Sequence, residues 1–507
     1  MSQLKKGVIL SYVTIILTNV IGLVLTPFII RSLGNSEYGL YALIGAFVGY
    51  ISVLDLGLNN TIVRYVAQFR AENDKKGEES FLSTTMMIYG VISVLIGLIG
   101  ILLYYNLESI FGSSLTSEEM TKAKVMFLIL IFNIAITLPG GAFTAISNGY
   151  EHFVFPRTIN IVRYIVRSAA VVGLLLMGGD AIGLVLLDTL MNILIIIVNG
   201  FYVFKRLGVR FKLHTYEFSL VKVIFSYSIW IFIFAIVQQF QWKGGQVLLG
   251  IKTDTVTVGI YAVGIVLGSY YSSFSGAISS VFLPKATQMV VKSSTKEELT
   301  GMMIKIGRLS LIVLLAILGA FILFGKQFVT LWVGESYELS WIIALTVMLA
   351  YTLPLIQNFA NSLLEANKKF YFKAIIYLIF IGLGTLLGWF LIDSLGMSGM
   401  IYGIVAGWLV ALIIMNIYYH KILKLDIPQF FKEVFRRILP GFIIVMCVGF
   451  LIKEIPGSGW LNFSIKSLLY ITAYCLVFFT LALNGFERSL VANFFKLKVR
   501  LSPSSRL

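Results

Sequence analysis

DLGLNNTIVRYVAQ, residues 55–68, closes an apolar run from Tyr38 to Leu54. A carboxylate, two amides and a guanidinium are poor company for hydrocarbon. A charged side chain at the bilayer centre costs about 2.5–3.5 kcal/mol on insertion scales and normally faces protein or water. The run therefore ends either in an ordinary interfacial cap or in a polar path. On a straight helix Ser52, Asp55 and Asn59 share one face, and Asn60, Arg64 and Gln68 share another. Asp55 and Arg64 then sit about 180° apart and cannot pair. Arg64 and Gln68 read as a cytoplasmic cap. Asp55 is deeper and needs a partner from another helix or from water.

Outward from this stretch, the chain is built for lipid. Its 507 residues are 58% hydrophobic and 13% charged, with a mean hydropathy of +0.91. A soluble domain carries about 25% charged residues. The fold class expected is all-α integral membrane. A span needs roughly 20 mostly apolar residues. Fourteen such runs stand at 8–30, 38–60, 81–103, 125–147, 156–177, 181–204, 222–249, 256–282, 306–325, 339–362, 372–393, 397–419, 438–453 and 462–484. The first follows Lys5 and Lys6, exceeds a signal-peptide core and lacks a small-residue cleavage site, so it reads as an uncleaved span.

With the N-terminus inside, 30 of the 40 Lys and Arg fall in segments expected to be cytoplasmic and 6 outside. This is the positive-inside bias. It places both termini in the cytoplasm and accounts for most of the net charge of +16 without a nucleic-acid partner. Cys447 and Cys475 lie in apolar runs and read as small hydrophobes. His152, His214 and His420 have no metal-ligand spacing, and no cofactor is expected. Loops of roughly twenty residues at most leave no room for a catalytic domain outside the membrane, and no Walker A segment points to ATP hydrolysis.

The chain also repeats. Thr137-Leu138-Pro139 matches Thr352-Leu353-Pro354, YGLYALIGAF (38–47) matches VGIYAVGIVL (258–267), and Gly183 falls on Gly403. The division this predicts is a six-helix bundle over 1–215, a second, parallel one over 216–425, and two extra spans with a tail over 426–507. Transporters built from parallel halves hold substrate near the midplane at the repeat interface.

Several polar residues are out of place in spans. Arg163 and Arg167 are one turn apart on span 5, with Asn160 on the same face. Arg167 lies about 18 Å from the cytoplasmic end, too deep for easy snorkelling. Two readings stand: an ion pair with Asp188 of span 6, or a cationic ladder suited to phosphate, which arginine binds with a bidentate fork. Lys243 follows Gln238, Gln239 and Gln241 and precedes Gly244 and Gly245, which invite a kink. It reads as a snorkelling cation or as a charge in an unwound segment. Asp188, Asn192 and Asn199 form one stripe and Gln357, Asn361 and Glu365 another, and such stripes often only hold helices together. Gly384-xxx-Gly388 and Gly403-xxx-Gly407 are packing faces.

SLGNSEYGLYAL (32–43) followed by DLGLNNTIVRYVA (55–67), on fourteen spans in two halves, resembles the polysaccharide-biosynthesis branch of the multidrug/oligosaccharidyl-lipid/polysaccharide exporter superfamily. The resemblance covers essentially the whole chain. It implies a non-enzymatic flippase in the bacterial inner membrane, working by alternating access. Its substrate would be an undecaprenyl-pyrophosphate-linked oligosaccharide, the repeat unit of O-antigen, capsule or exopolysaccharide. It also implies cationic cavity residues for the pyrophosphate. Here Arg163, Arg167 and Lys243 are placed in that role by depth. Asp55, Asp188 and Glu365 are candidates for ion coupling or gating with Na+ or H+. The lipid-linked oligosaccharide, membrane lipids and polysaccharide polymerase machinery are the expected partners, and Tyr270-Tyr271-Ser272-Ser273 a candidate glycan contact. The rivals are a multidrug or small-cation exporter, which predicts an acidic cavity, and a peptidoglycan-precursor flippase, which typically carries an arginine in its first span. This chain has none before Arg31.

Overall fold

The computed structural model describes residues 3–214, 232–280, 294–367 and 369–494, with Ala286, Gln288, Met289, Val290 and Lys292. Among them the regular structure is helical. The first helices are α1 (Gln3–Leu33), α2 (Asn35–Ile51), α3 (Leu58–Glu72), α4 (Lys75–Phe111), α5 (Ser117–Gly149), α6 (Val154–Leu176) and α7 (Ala181–Phe201). Beyond these come α8 (232–242), α9 (Gly244–Lys252), α10 (Thr255–Ser280), α11 (Lys296–Val333), α12 (Ser340–Ile356), α13 (Asn358–Ala366), α14 (Phe370–Lys421), α15 (Ile427–Lys453), α16 (Gly459–Val477) and α17 (Gly485–Phe494).

Twelve stretches of the described residues are long and apolar enough to cross a membrane. One of them, α14, has 52 residues, about 78 Å of helix against a hydrocarbon core of about 30 Å. It is two spans. The chain turns at Gly396, whose φ of 58° and ψ of −142° suit glycine and no helix. The two limbs then press together where the sequence is smallest. A Cβ on Gly403 would fall 2.3 Å from the Gly388 nitrogen and 2.7 Å from the Gly384 carbonyl oxygen. The expected seventh span corresponds to α8 and α9, and its first part, 222–231, lies outside the described residues. The expected thirteenth span is longer than its apolar run, reaching back to Ile427.

The straight second helix is a correction. After α2 the chain takes a 3-10 turn over Ser52–Asp55, then passes through Leu56 (φ 53°) and Gly57 (φ 70°) before α3 begins. Two left-handed residues in succession break the α-helical ladder. The angular argument separating Asp55 from Arg64 therefore does not apply.

By compactness the chain forms two units. The first joins Met1–Ala262 with Tyr377–Ile404, and the second joins Val263–Ile376 with Val405–Leu507. In the first, α4, α5 and α7 pack in series, and α1 lies along α6. Val171, Leu175 and Leu184 make a small core with Phe28, Ile29, Leu33 and Tyr41 around it. In the second, α11 is the central helix, packed by α12, α15 and α16. Arg308 of α11 lies in that core and pairs with Glu487 of α17.

Candidate functional site

The lipid-compatible stripe of α6 is Val162, Ile165 and Val166, and that of α7 is Leu186, Leu190, Leu194 and Ile197. The polar residues of both helices lie on other faces and meet one another. Arg167 grips Asp188 with two arms of its fork: Nε meets Oδ1, and Nη2 donates to Oδ2 at 2.9 Å. Tyr41 of α2 donates to Asp188 Oδ2 from 3.5 Å. One turn away, Arg163 Nη2 donates to Asn192 Oδ1, and Asn192 Nδ2 donates to Asn133 Oδ1 of α5 at 2.9 Å. The string therefore runs across α2, α5, α6 and α7.

Its charges do not balance. Of the two guanidinia, only Arg167 meets a carboxylate. Arg163 is held by a neutral amide, has no acidic partner among the described residues, and keeps a buried Nε without an acceptor. Arg167 and Asp188 remain 23% and 22% exposed, so the pair is reachable. The arrangement offers a planar donor array with surplus positive charge, which suits an anion better than a cation. The ion pair read from the sequence forms, and Arg163 stands one turn away on the Asn192 amide.

Lys243 sits at the joint between α8 and α9. The break falls on the lysine itself rather than on the glycines after it. Gly245 instead packs against Tyr261, whose hydroxyl lies 2.2 Å from where a Cβ would stand. Tyr50 donates to the Gln239 carbonyl at 3.4 Å in the turn before. The Lys243 ammonium has no hydrogen-bond or ion-pair partner among the described residues.

Asp55 ends the 3-10 turn and accepts from Tyr89 of α4 at 3.1 Å and from Asn59 Nδ2 at 3.3 Å. It thus ties the first turn of the restarted helix to α4 through side chains. Arg64 is exposed, and Gln68 donates to Glu72 at 3.0 Å, as a surface cap does.

The second unit carries its own polar cluster. The chain breaks at Gln357, three residues past Pro354, so Gln357, Asn361 and Glu365 are not one continuous stripe. Gln357 donates to Asn416 at 2.6 Å. Asn361 accepts from buried Lys373 at 2.9 Å and from Tyr419 at 3.2 Å, and it donates to Asn358. Burial pushes the Glu365 carboxyl above its ordinary value, offset in part by Lys373. Tyr271 is buried and bonds to Thr352 at 2.7 Å, which makes it a packing residue rather than an open contact.

Sequence reasoning did not foresee what SLGNSEYGLYAL does. Glu37 accepts from the Ala181 N–H at 2.8 Å and pairs with Lys122 at 3.1 Å, fastening α2 to the starts of α7 and α5. Ser36 and Thr255 both donate to Glu119 Oε1, which caps α5 with Thr116. The signal was present as two separate patterns, T-x-x-E at Thr116–Glu119 and an acidic first turn at Glu37, but nothing in their spacing showed that they meet.

Long apolar helices that gather their few internal charges into intramembrane networks define a multi-pass membrane transporter fold. Two solved structures share it. Lipid II flippase MurJ, in an inward closed conformation, superposes with a TM-score of 0.66 at 16% identity over 96% of this chain and 99% of that one. An inward-facing multidrug resistance MATE family transporter of the MOP superfamily gives 0.63 at 15% identity over 83% and 96%. By sequence the chain is 25% identical to the uncharacterized membrane protein EpsK of Bacillus subtilis (strain 168), over 62% of each chain. The match thus spans less than two thirds of that relative. It is 20% identical to the "Putative O-antigen transporter" of Shigella flexneri, over 64% of this chain and 75% of that one. Residues 4–290 match the polysaccharide biosynthesis protein family, and the chain belongs to it, in the exporter superfamily branch its motifs resemble. The two solved structures and the Shigella flexneri relative are named as a flippase and transporters.

Proposed function

We propose that this protein flips an undecaprenyl-pyrophosphate-linked oligosaccharide repeat unit across the bacterial inner membrane, with both termini in the cytoplasm and two parallel six-helix halves alternating access. One observation carries the reading: of two guanidinia one turn apart on α6, Arg167 is paired with a carboxylate and Arg163 is held only by a neutral amide among the described residues. The surplus charge lies within a membrane span, where it is costly unless an anion answers it. A diphosphate has two phosphoryl groups and fits two forks spaced about 6 Å along a helix. Arg163 takes one phosphate and Arg167 the other, while Lys243 supplies a third positive charge. The same surplus disfavours a small-cation exporter. In this reading Asp55 and Glu365 remain the candidate Na+ or H+ sites.

The test is the leaflet distribution of the lipid-linked repeat unit in a deletion strain without a redundant flippase. Accumulation on the cytoplasmic leaflet, cured by wild type and not by equally expressed Arg163→Ala or Arg167→Ala, is the expected result. Normal sidedness in the deletion strain overturns the flippase reading. A cure by both variants overturns the assignment of the arginines.

A further inference from the structure

We infer that Asp188 is a built-in competitor for the substrate's pyrophosphate, so that binding and release proceed by exchange of one anion for another on Arg167. The inference rests on the reading of Arg163 and Arg167 as pyrophosphate ligands and goes a step beyond it.

The geometry supplies each part of the exchange. Arg167 is already satisfied in the manner a phosphate would satisfy it, by two oxygens of one planar anion on Nε and Nη2. A phosphoryl group therefore gains this side-on Nε/Nη2 edge of Arg167 only by displacing Asp188. Arg163 is not occupied in this way, since among the described residues its partner is the Asn192 amide. The incoming diphosphate thus meets Arg163 first, and its second phosphate then contests Arg167. The displaced carboxylate is not left bare. Tyr41 already donates toward Oδ2, from 3.5 Å. The ionisable groups facing Asp188 are Arg167 from its own neighbour helix α6, with Tyr164 beside it, and Tyr41 from α2. From α5 only the neutral Asn133 enters the string, through Asn192.

The physical consequence is a moderated affinity. Two arginines in a low-dielectric site would hold a diphosphate too tightly to let it leave, because close charge pairs couple by several kcal/mol. A carboxylate poised to retake Arg167 weakens the bound state and favours release. Asp188 is here a specificity and release residue, acting through Arg167 rather than on the substrate.

The experiment measures inorganic pyrophosphate binding to the purified full chain in nanodiscs at low ionic strength. Asp188→Asn is expected to tighten binding by on the order of tenfold and to slow flipping despite the lower half-saturation. Tyr41→Phe leaves every charge in place and removes the hydroxyl that receives the freed carboxylate, so it is expected to weaken binding. Binding by Asp188→Asn that is unchanged or weaker, while Arg167→Ala abolishes it, overturns the competitor and leaves the pyrophosphate reading standing. Arg167→Ala binding like wild type overturns the pyrophosphate reading itself, and the competitor with it. Should Asp188→Asn fail to fold, Tyr41→Phe decides, and unchanged binding there overturns the inference.

Discussion

Arg308 and Glu487, 179 residues apart in the chain, meet fork to carboxylate inside the second unit, with Nε–Oε1 at 2.6 Å and Nη2–Oε2 at 2.9 Å. The two side chains are 6% and 3% exposed. The remaining arms of the guanidinium donate to the carbonyls of Glu433 and Ala482, each at 3.0 Å. One arginine therefore ties α11 to α15 and to the turn that follows α16. Such a pair is held by its complete satisfaction rather than by Coulomb attraction alone.

Removing one partner leaves the other charge buried and unanswered. Glu487→Gln or Arg308→Met is expected to destabilise the protein by about 3–5 kcal/mol, read as a large drop in the thermal unfolding midpoint of the detergent-solubilised protein. The double variant Arg308→Met with Glu487→Leu is expected to recover most of that loss. Additive losses in the double variant would show that the two residues act independently.

The hairpin of α14 rests on bare backbone. A Cβ at Gly403 would stand 2.3 Å from the nitrogen and 2.4 Å from the Cα of Gly388, atoms that cannot swing aside. Gly403→Val is expected to abolish monodisperse protein in size-exclusion profiles. Gly382, four ångströms clear of any neighbour, is the control. There Gly382→Ala is expected to be neutral or to stabilise slightly, since alanine is the better helix former by about 1 kcal/mol.

The spans were legible because lipid imposes a length and a composition that a sequence displays directly. The turn at Gly396 and the small faces around Gly384 and Gly403 followed from the same pattern. The break at Leu56 and Gly57 was not read, although Gly57 stood two residues past Asp55. Apolar periodicity does not register a left-handed leucine. Arg163 and Arg167 were legible as misplaced charges, and Asp188 as a carboxylate on the next helix, but their bidentate geometry needs coordinates. Arg308 stands near the start of an apolar run, where a charge is ordinary in sequence. Its partner lies beyond five intervening spans, and no local spacing points to it. The role of Ser36, Glu37 and Glu119 escaped for the same reason: helix ends meet in space, not in sequence.

Asp55 separates a structural anchor from an ion site by a clean substitution. Asparagine keeps an oxygen for the Tyr89 hydroxyl and for Asn59 Nδ2, whereas alanine keeps neither. Asp55→Asn is expected to retain the wild-type unfolding midpoint, and Asp55→Ala to lose about 1–2 kcal/mol, as leaving buried hydrogen-bond partners unsatisfied does. Gly57→Ala, at φ 70°, is expected to cost about 1–2 kcal/mol as well. If flipping by Asp55→Asn keeps the wild-type response to Na+ and to pH, Asp55 is a structural anchor and nothing more. A lost response with an unchanged midpoint assigns it the coupling ion.

Lys243 offers the sharpest separation of stability from function. Its ammonium has no partner among the described residues, yet it lies within a helical joint flanked by Tyr50 and Tyr261. A charge kept in such a place lowers stability, and residues that do so concentrate at functional sites. Lys243→Met removes the charge and keeps most of the stem's volume. A structural lysine, anchored by its head group, would give a lower unfolding midpoint with activity falling in step. A lysine held for the substrate gives the opposite pair of results, and that is the expectation: an unfolding midpoint equal to or above wild type, with flipping reduced by about tenfold, the effect of losing some 1.4 kcal/mol of interaction with the anion. Lys243→Arg restores the charge and is expected to recover part of the flux, because the joint, not the identity of the cation, sets where the charge stands.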